Sequence, residues 1–424
     1  MTAVPHSSGG LLANRNFILL WQGQFVSQAG NQAFAVAMIY WLMQETGSAT
    51  LMGLLMMVSI LPAIVLGPIG GAVADRHSRK HIIVFADAVR GIVVLSFAIL
   101  LLAIPQATTL TVAMLFAVVL LKGIAGAAFQ PAVAAAIPDM VPPEKIAAAN
   151  SMNQFSIQTA VLCGQAAGGI LYRILGAPVL FAIDGASYIL SAISEAFIRI
   201  PESKPVNVPS GRSALASYGA DTVEGLRHVW RHGGMRSLLI TAAAVNFLAM
   251  PVIVLLPFFV SLTLQKGAEW YGFLLAAMGA GALLGYAAIG TSKISAPHRP
   301  LVIAVCFVTV SLSISMLAIV SEPVHALVLF AALGFCTGVI NIMVITIFQV
   351  GSPTGLRGRI MSVVYTLSSA VSPLGMAVGG MLGDATGMSL SAIYFGCSVL
   401  MLTTVLVAIS RDKFRRFLAV EVIR

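Results

Sequence analysis

The sequence predicts an all-α membrane protein, with twelve transmembrane helices in two pseudo-symmetric six-helix bundles. Three observations predict it. Of 424 residues, 58% are hydrophobic and only 9% are charged, against roughly 25% charged in soluble domains. A water-soluble enzyme of this make-up would have almost no polar surface. Apolar runs near the ~20 residues needed to cross hydrocarbon recur along the whole chain. One long polar stretch, Arg199 to Arg236, divides those runs six and six.

Residues 1–16 are polar and form a cytoplasmic tail. Spans are expected at 17–43, 51–73, 82–104, 108–130, 147–172 and 178–198, giving a first bundle over 17–198. A linker, 199–237, carries Pro201, Pro205, Pro209 and Gly211, and its segment Asp221–His232 reads as an amphipathic helix on the membrane surface. Spans at 238–264, 270–290, 300–320, 324–348, 360–382 and 388–410 give a second bundle over 238–410, with a cytoplasmic tail at 411–424. The first apolar run is too long for the core of a signal peptide. Cys163, Cys306, Cys336 and Cys397 all fall inside apolar runs, without metal-ligand spacing, and read as small buried residues.

Charge fixes the expected orientation. Of 24 Lys and Arg, Arg173 and Lys266 fall in turns on one side, Arg90 and Lys122 lie within spans, and the rest lie on the opposite side. The positive-inside rule makes that side cytoplasmic, with both termini inside. The net charge of +9 is therefore spread over every cytoplasmic turn, which excludes a nucleic-acid surface.

The halves repeat. Gly53 and Gly71 in the second span have counterparts in Gly272 and Gly290 in the eighth, and Gly164-x-x-x-Gly168-Gly169 recurs as Gly375-x-x-x-Gly379-Gly380. Pro143 before the fifth span matches Pro353 before the eleventh. Three such pairs in one order support a duplicated unit.

The most informative stretch is Gly71-Ala72-Val73-Ala74-Asp75-Arg76-His77-Ser78-Arg79-Lys80, a short basic turn between two spans. Gly71 admits close approach of another helix. Asp75, at the membrane surface, suits the positive N-terminal end of a neighbouring helix. The stretch resembles the loop-2/3 motif of the major facilitator superfamily, Gly-x-x-x-Asp-Arg-x-Gly-Arg-Arg/Lys, departing only at Ser78. Further segments resemble the macrolide-efflux and enterobactin-exporter branch of drug:proton antiporters: 27–32, 45–49, 129–132, 137–144, 184–188 and 356–362. Two departures stand out. Asn31 occupies a position that often carries aspartate in that branch. Gln165 replaces the proline of Gly-Pro-x-x-Gly-Gly, which removes a built-in kink.

The resemblance implies alternating access, with Gly71, Asp75, Arg76, Arg79 and Lys80 forming a latch in which Asp75 caps the eleventh span beside Arg357 and Arg359. Ionisable residues inside a membrane are costly and functional by default. Here they are Asp87, Arg90, Lys122, Asp184 and Glu195. Asp87 and Arg90, three apart on one helix face, read as a structural pair or as part of proton coupling. Lys122, four residues before Gly126, matches the basic position of the family's helix-4 motif, which faces the cavity and is tied to proton movement; pairing with Asp87 is its plainer reading. Asp184 reads either as a proton carrier or as a structural hydrogen-bonding group. Glu195 reads as structural and close enough to the inner surface to reach water.

Amides at near-helical spacing mark an expected cavity wall: Gln24, Gln28, Asn31 and Gln32, then Gln154 and Gln158, with Asn246 and Asn341 in the second half. Phe25, Phe247 and Tyr365 are candidates to stack on a ligand, and Trp21 and Trp41 either join them or face lipid. Such a cavity suits a bulky amphipathic solute. The expected function is a bacterial inner-membrane exporter of a drug or a secreted metabolite such as a siderophore, coupled to protons and acting as a monomer. Neither cofactor nor metal is expected, and no hydrolase, kinase or nucleotide-binding signature marks an enzyme. A lysophospholipid transporter and a non-transporting sensor of the same fold are the alternatives.

Overall fold

The computed structural model describes residues 11, 14–104, 106–200, 223–292, 294–353 and 355–419, and no strand occurs among them. Its helices are α1 (Arg15–Thr46), α2 (Ala49–Arg76), α3 (Arg79–Ala103), α4 (Thr108–Met140), α5 (Ile146–Ala196), a short α6 over 223–231, α7 (Gly233–Val254), α8 (Ala268–Thr291), α9 (Arg299–Leu317), α10 (Pro323–Gly351), α11 (Arg357–Ala385), α12 (Leu390–Ser410) and α13 (Asp412–Leu418). Ten helical stretches are long and apolar enough to cross a membrane. One of them holds two predicted spans. Within α5 the backbone breaks at Gly176, whose φ of 74° is left-handed territory that glycine enters without a Cβ penalty, and Pro178 opens the second limb. Counting both limbs, together with the amide-rich α1, every predicted span has its helix.

Boundaries differ where proline acts. The seventh span was expected to run to 264 as one helix. Instead α7 ends at Val254, and a short turn Leu256–Phe258 and a π turn Phe259–Thr263 follow. Pro251 and Pro257 each remove an amide donor from the ladder there. Helix α4 runs on to Met140, ten residues past its expected end, despite Pro131 and Pro138. The predicted surface helix lies over 223–231 and packs on the start of α11: Gly225 sits against the backbone of Arg359, and Glu224 pairs with the Arg359 guanidinium. The rest of that linker, 201–222, lies outside the described residues.

The chain forms two compact units, 1–45 with 58–215 and 46–57 with 216–424. Residues 46–57 group with the second unit. The cause is close packing. A Cβ on Gly53 would strike the backbone of Met376, and one on Gly380 the backbone of Ala49.

The repeated glycines have the same role in both units. In the first, Gly164 lies against Ala29 and Gln32, and Gly168 against Ala33, so the first limb of α5 packs on α1. In the second, Gly375 lies against Phe247 and Met250, and Gly379 against Pro251, so α11 packs on α7. Small residues let helices approach where lipid offers no hydrophobic drive. Gly71 does not act this way, because a Cβ there would meet open space; its neighbour Gly70 lies against the carbonyl of Ala127. Adjacent residues on a helix point about 100° apart, so the two glycines present different faces.

Candidate functional site

The first unit contains a buried cluster of charge. Lys122 Nζ of α4 lies 2.6 Å from Asp184 Oδ2 on the second limb of α5. On α3, Arg90 donates to Asp87 Oδ1 at 3.0 Å. Both carboxylates are wholly buried, and Arg90 is 8% exposed. Glycines make the room: a Cβ on Gly126 would sit 2.9 Å from an Arg90 nitrogen, and one on Gly30 would press on Asp184 and Ser187. Aromatic faces complete the lining. Lys122 Nζ sits 3.6 Å from the Phe34 ring centroid, and the Arg90 guanidinium carbon 4.3 Å from that of Phe129. A cation over a ring in a desolvated site gains about 2 kcal/mol.

The cluster forms one wall of a cavity of about 350 Å³, bordered by Gln28, Asn31, Phe34, Ser59, Gln130 and Tyr188. The charged groups on its wall are Lys122 and Arg90; their carboxylate partners stand behind them. Among the described residues, Oδ1 of Asp184 and Oδ2 of Asp87 have no hydrogen-bond partner. The arrangement can hold a polar or π-rich molecule against amides and rings, and it can shift charge within two ion pairs at membrane depth.

Several expectations are corrected here. Lys122 pairs with Asp184, not Asp87, which is taken by Arg90. Glu195 does not reach water: it is 1% exposed and accepts a 2.8 Å hydrogen bond from the Gln24 amide, while its Oε2 has no hydrogen-bond partner among the described residues. Gln24 is consequently a buried partner of Glu195 and not a cavity amide. Trp41 is core, 6% exposed and edge-on to Phe97. Gln165 sits 3.4 Å from the Gln32 side chain, an amide contact where the family's proline would stand.

Gln154, Gln158 and Asn341 are exposed, and Asn246 is partly buried. Phe25 stacks on Trp21, and Tyr365 is 54% exposed. Phe247 lines an apolar groove in the second unit. Of the loop residues, Arg79 binds Asp139 and the carbonyl of Ala135, Asp75 is exposed without a hydrogen bond or ion pair among the described residues, and Lys80 is partly buried. Helix α11 begins after Leu356, whose side chain makes no cap hydrogen bond; Arg359 pairs with Glu224, and Arg357 is exposed.

Sequence reasoning missed Asp384. Its carboxylate accepts the Ser48 hydroxyl at 2.7 Å and the amides of Ala49 at 2.9 Å and Thr50 at 3.0 Å, capping the start of α2. Ser48, directly before an apolar run, was the readable signal of a helix start. Its distant partner left no local trace.

The family model described as the Major Facilitator Superfamily matches residues 20–376, and the chain belongs to that superfamily of membrane transporters. It is 27% identical over 402 residues to the multidrug efflux pump Tap of Mycolicibacterium fortuitum, covering 93% of this chain and 95% of that one. It is 24% identical over 375 residues to macrolide efflux protein A of Streptococcus pyogenes, covering 88% and 90%. Among solved structures, a bacterial homologue of the human lysosomal transporter Spinster, inward-facing and unoccupied, aligns with a TM-score of 0.69 at 18% identity, over 96% of this chain and 97% of that one. The nucleoside transporter NupG aligns with a TM-score of 0.74 at 10% identity, over 93% and 100%. These structural likenesses carry the fold.

Proposed function

We propose that this protein exports a hydrophobic or amphipathic small molecule, a drug or a secreted metabolite such as a siderophore, across a bacterial inner membrane by alternating access. Both termini face the cytoplasm in this reading, as the lysine and arginine distribution requires. The observation that carries the proposal is the cavity of the first unit, where amides and the rings of Phe34 and Tyr188 adjoin a buried Lys122–Asp184 pair. A solute with an extended apolar or aromatic body fits such a lining better than a sugar or an inorganic ion. Relatives named for multidrug and macrolide efflux support the direction of transport.

Export is driven by inward proton flow, and Lys122, Asp184, Asp87 and Arg90 are the groups assigned to coupling. Their burial at membrane depth is the supporting fact: such groups are kept where they move ions or protons. The loop 71–80 serves as the latch of the cycle, and the exposed Asp75 is available to cap a helix end.

An efflux-deficient bacterial host tests the reading. Expression should lower cellular accumulation of at least one macrolide, cationic dye or siderophore, and Lys122→Gln should abolish that effect. Unchanged accumulation across such a panel contradicts export of this substrate class.

A further inference from the structure

In the second unit, the start of α7, the end of α12 and α13 enclose a cavity of about 280 Å³. Arg236, Arg411 and Lys413 border it, and none of the three makes an ion pair among the described residues. The carboxylate on its wall, Asp412, is taken by Arg415 at 2.5 Å. That guanidinium, through its hydrogen bond and its charge, holds the Asp412 carboxyl below the usual carboxylate range. The cavity is therefore a basin of unspent positive charge, with Lys413 folded over Gly233 at its edge.

A second hollow adjoins it. Ile240 belongs to both walls, and beyond it an apolar groove of about 490 Å³ follows α7 past Ala244 and Phe247, flanked by Val371 and Leu400. Its rim is open: Ile240 is 50% exposed and Leu400 58%. From Arg236 to Phe247 the helix rises about 16 Å, which matches the ~15 Å of one leaflet of a 30 Å hydrocarbon core. Ordinary positive-inside residues need only water around their charges. Here three uncommitted cations end an apolar trough of leaflet depth, and that combination selects a molecule with an anionic head and a long apolar chain.

We propose that this cleft binds an anionic phospholipid, its phosphate held by Arg236, Arg411 and Lys413 and one acyl chain lying along the groove. The site rests on membrane residence, which the family establishes, and is independent of what the protein exports. Basic pockets beside spanning helices bind acidic headgroups, each cation near the surface adding attraction.

Native mass spectrometry of the purified full chain, titrated with phosphatidylglycerol or phosphatidylcholine, tests it. Wild type should retain phosphatidylglycerol in preference to phosphatidylcholine. The triple variant Arg236→Gln, Arg411→Gln, Lys413→Gln should lose roughly a hundredfold in affinity for it, whereas Arg199→Gln, Arg231→Gln, Arg416→Gln, with the same change in net charge, should keep it. Equal retention of the two lipids by wild type, or equal loss in the two triple variants, overturns the assignment. Ile240→Asp leaves the cations in place and should also weaken retention; undiminished binding there removes the groove from the site. Inorganic phosphate competing as well as the whole lipid would make this a free-anion pocket and refute the lipid.

Discussion

Removing either member of the Lys122–Asp184 pair should destabilise the first unit, and removing both should restore most of the loss. At 2.6 Å the attraction is about 6 kcal/mol with an effective dielectric constant near 20. Desolvation of two ions offsets most of that, so the net contribution of the pair is small. What an experiment sees is the cost of stranding one partner, about 3–5 kcal/mol for a buried pair. The two single variants differ. Asp184→Asn leaves Lys122 against the rings of Phe34 and Tyr188, which recover up to about 2 kcal/mol. Lys122→Met removes the ion pair of Asp184, whose Oδ1 has no hydrogen-bond partner among the described residues. Lys122→Met should therefore cost about 4–5 kcal/mol and Asp184→Asn about 2–3 kcal/mol. The double variant should lie within about 1–2 kcal/mol of wild type, giving a large coupling in the cycle. Unfolding in mixed detergent micelles can be followed by the fluorescence of Trp41, which is buried against Phe97, after the other three tryptophans are replaced by phenylalanine. Singles that each cost under about 1 kcal/mol, or a double that costs their sum, would refute the coupled pair.

Gly70 and Gly71 give a contrast between neighbours: Gly70→Ala should cost about 1–3 kcal/mol by overpacking on Ala127, and Gly71→Ala should be near neutral in the same unfolding assay. At Glu195, Gln should be tolerated within about 1 kcal/mol, because no ion pair is lost among the described residues, while Ala should cost about 2 kcal/mol by stranding the Gln24 amide. Asp384→Asn weakens the cap on α2 by about 1 kcal/mol. In a Cys163→Ser background, a Thr50→Cys probe should then label faster with a thiol reagent, and an unchanged rate removes Asp384 as the residue holding that helix start.

Much of the fold was legible because it depends on local quantities. Lengths of apolar runs, the charge of turns and the repeated Gly-x-x-x-Gly-Gly segments each act over a few residues, and the structure gives Gly168 and Gly379 equivalent positions in the two units. The charged loop carried the superfamily. The buried ionisable residues were also visible, since a charge in an apolar run is conspicuous. Their pairing was not. Lys122 and Asp184 are 62 positions apart and meet by packing alone, with Gly30 leaving room on α1 beside Asp184. Glu195 seemed near water by its place in the span, and burial came instead from α1, through Gln24. The Asp384 cap spans more than 330 positions and leaves no periodic signal. Long-range polar contacts are fixed by packing, and spacing along the chain cannot specify them.

Proton-driven export of an amphipathic solute is tested most directly in reconstituted vesicles loaded at acid pH and diluted into neutral buffer. A macrolide or lipophilic cation should accumulate in the lumen of vesicles holding wild-type protein and leave when a protonophore collapses the gradient. The Lys122→Gln and Asp184→Asn proteins should equilibrate the solute without concentrating it. Accumulation that ignores the pH gradient in wild type, or that both variants retain in full, would contradict proton coupling through this pair.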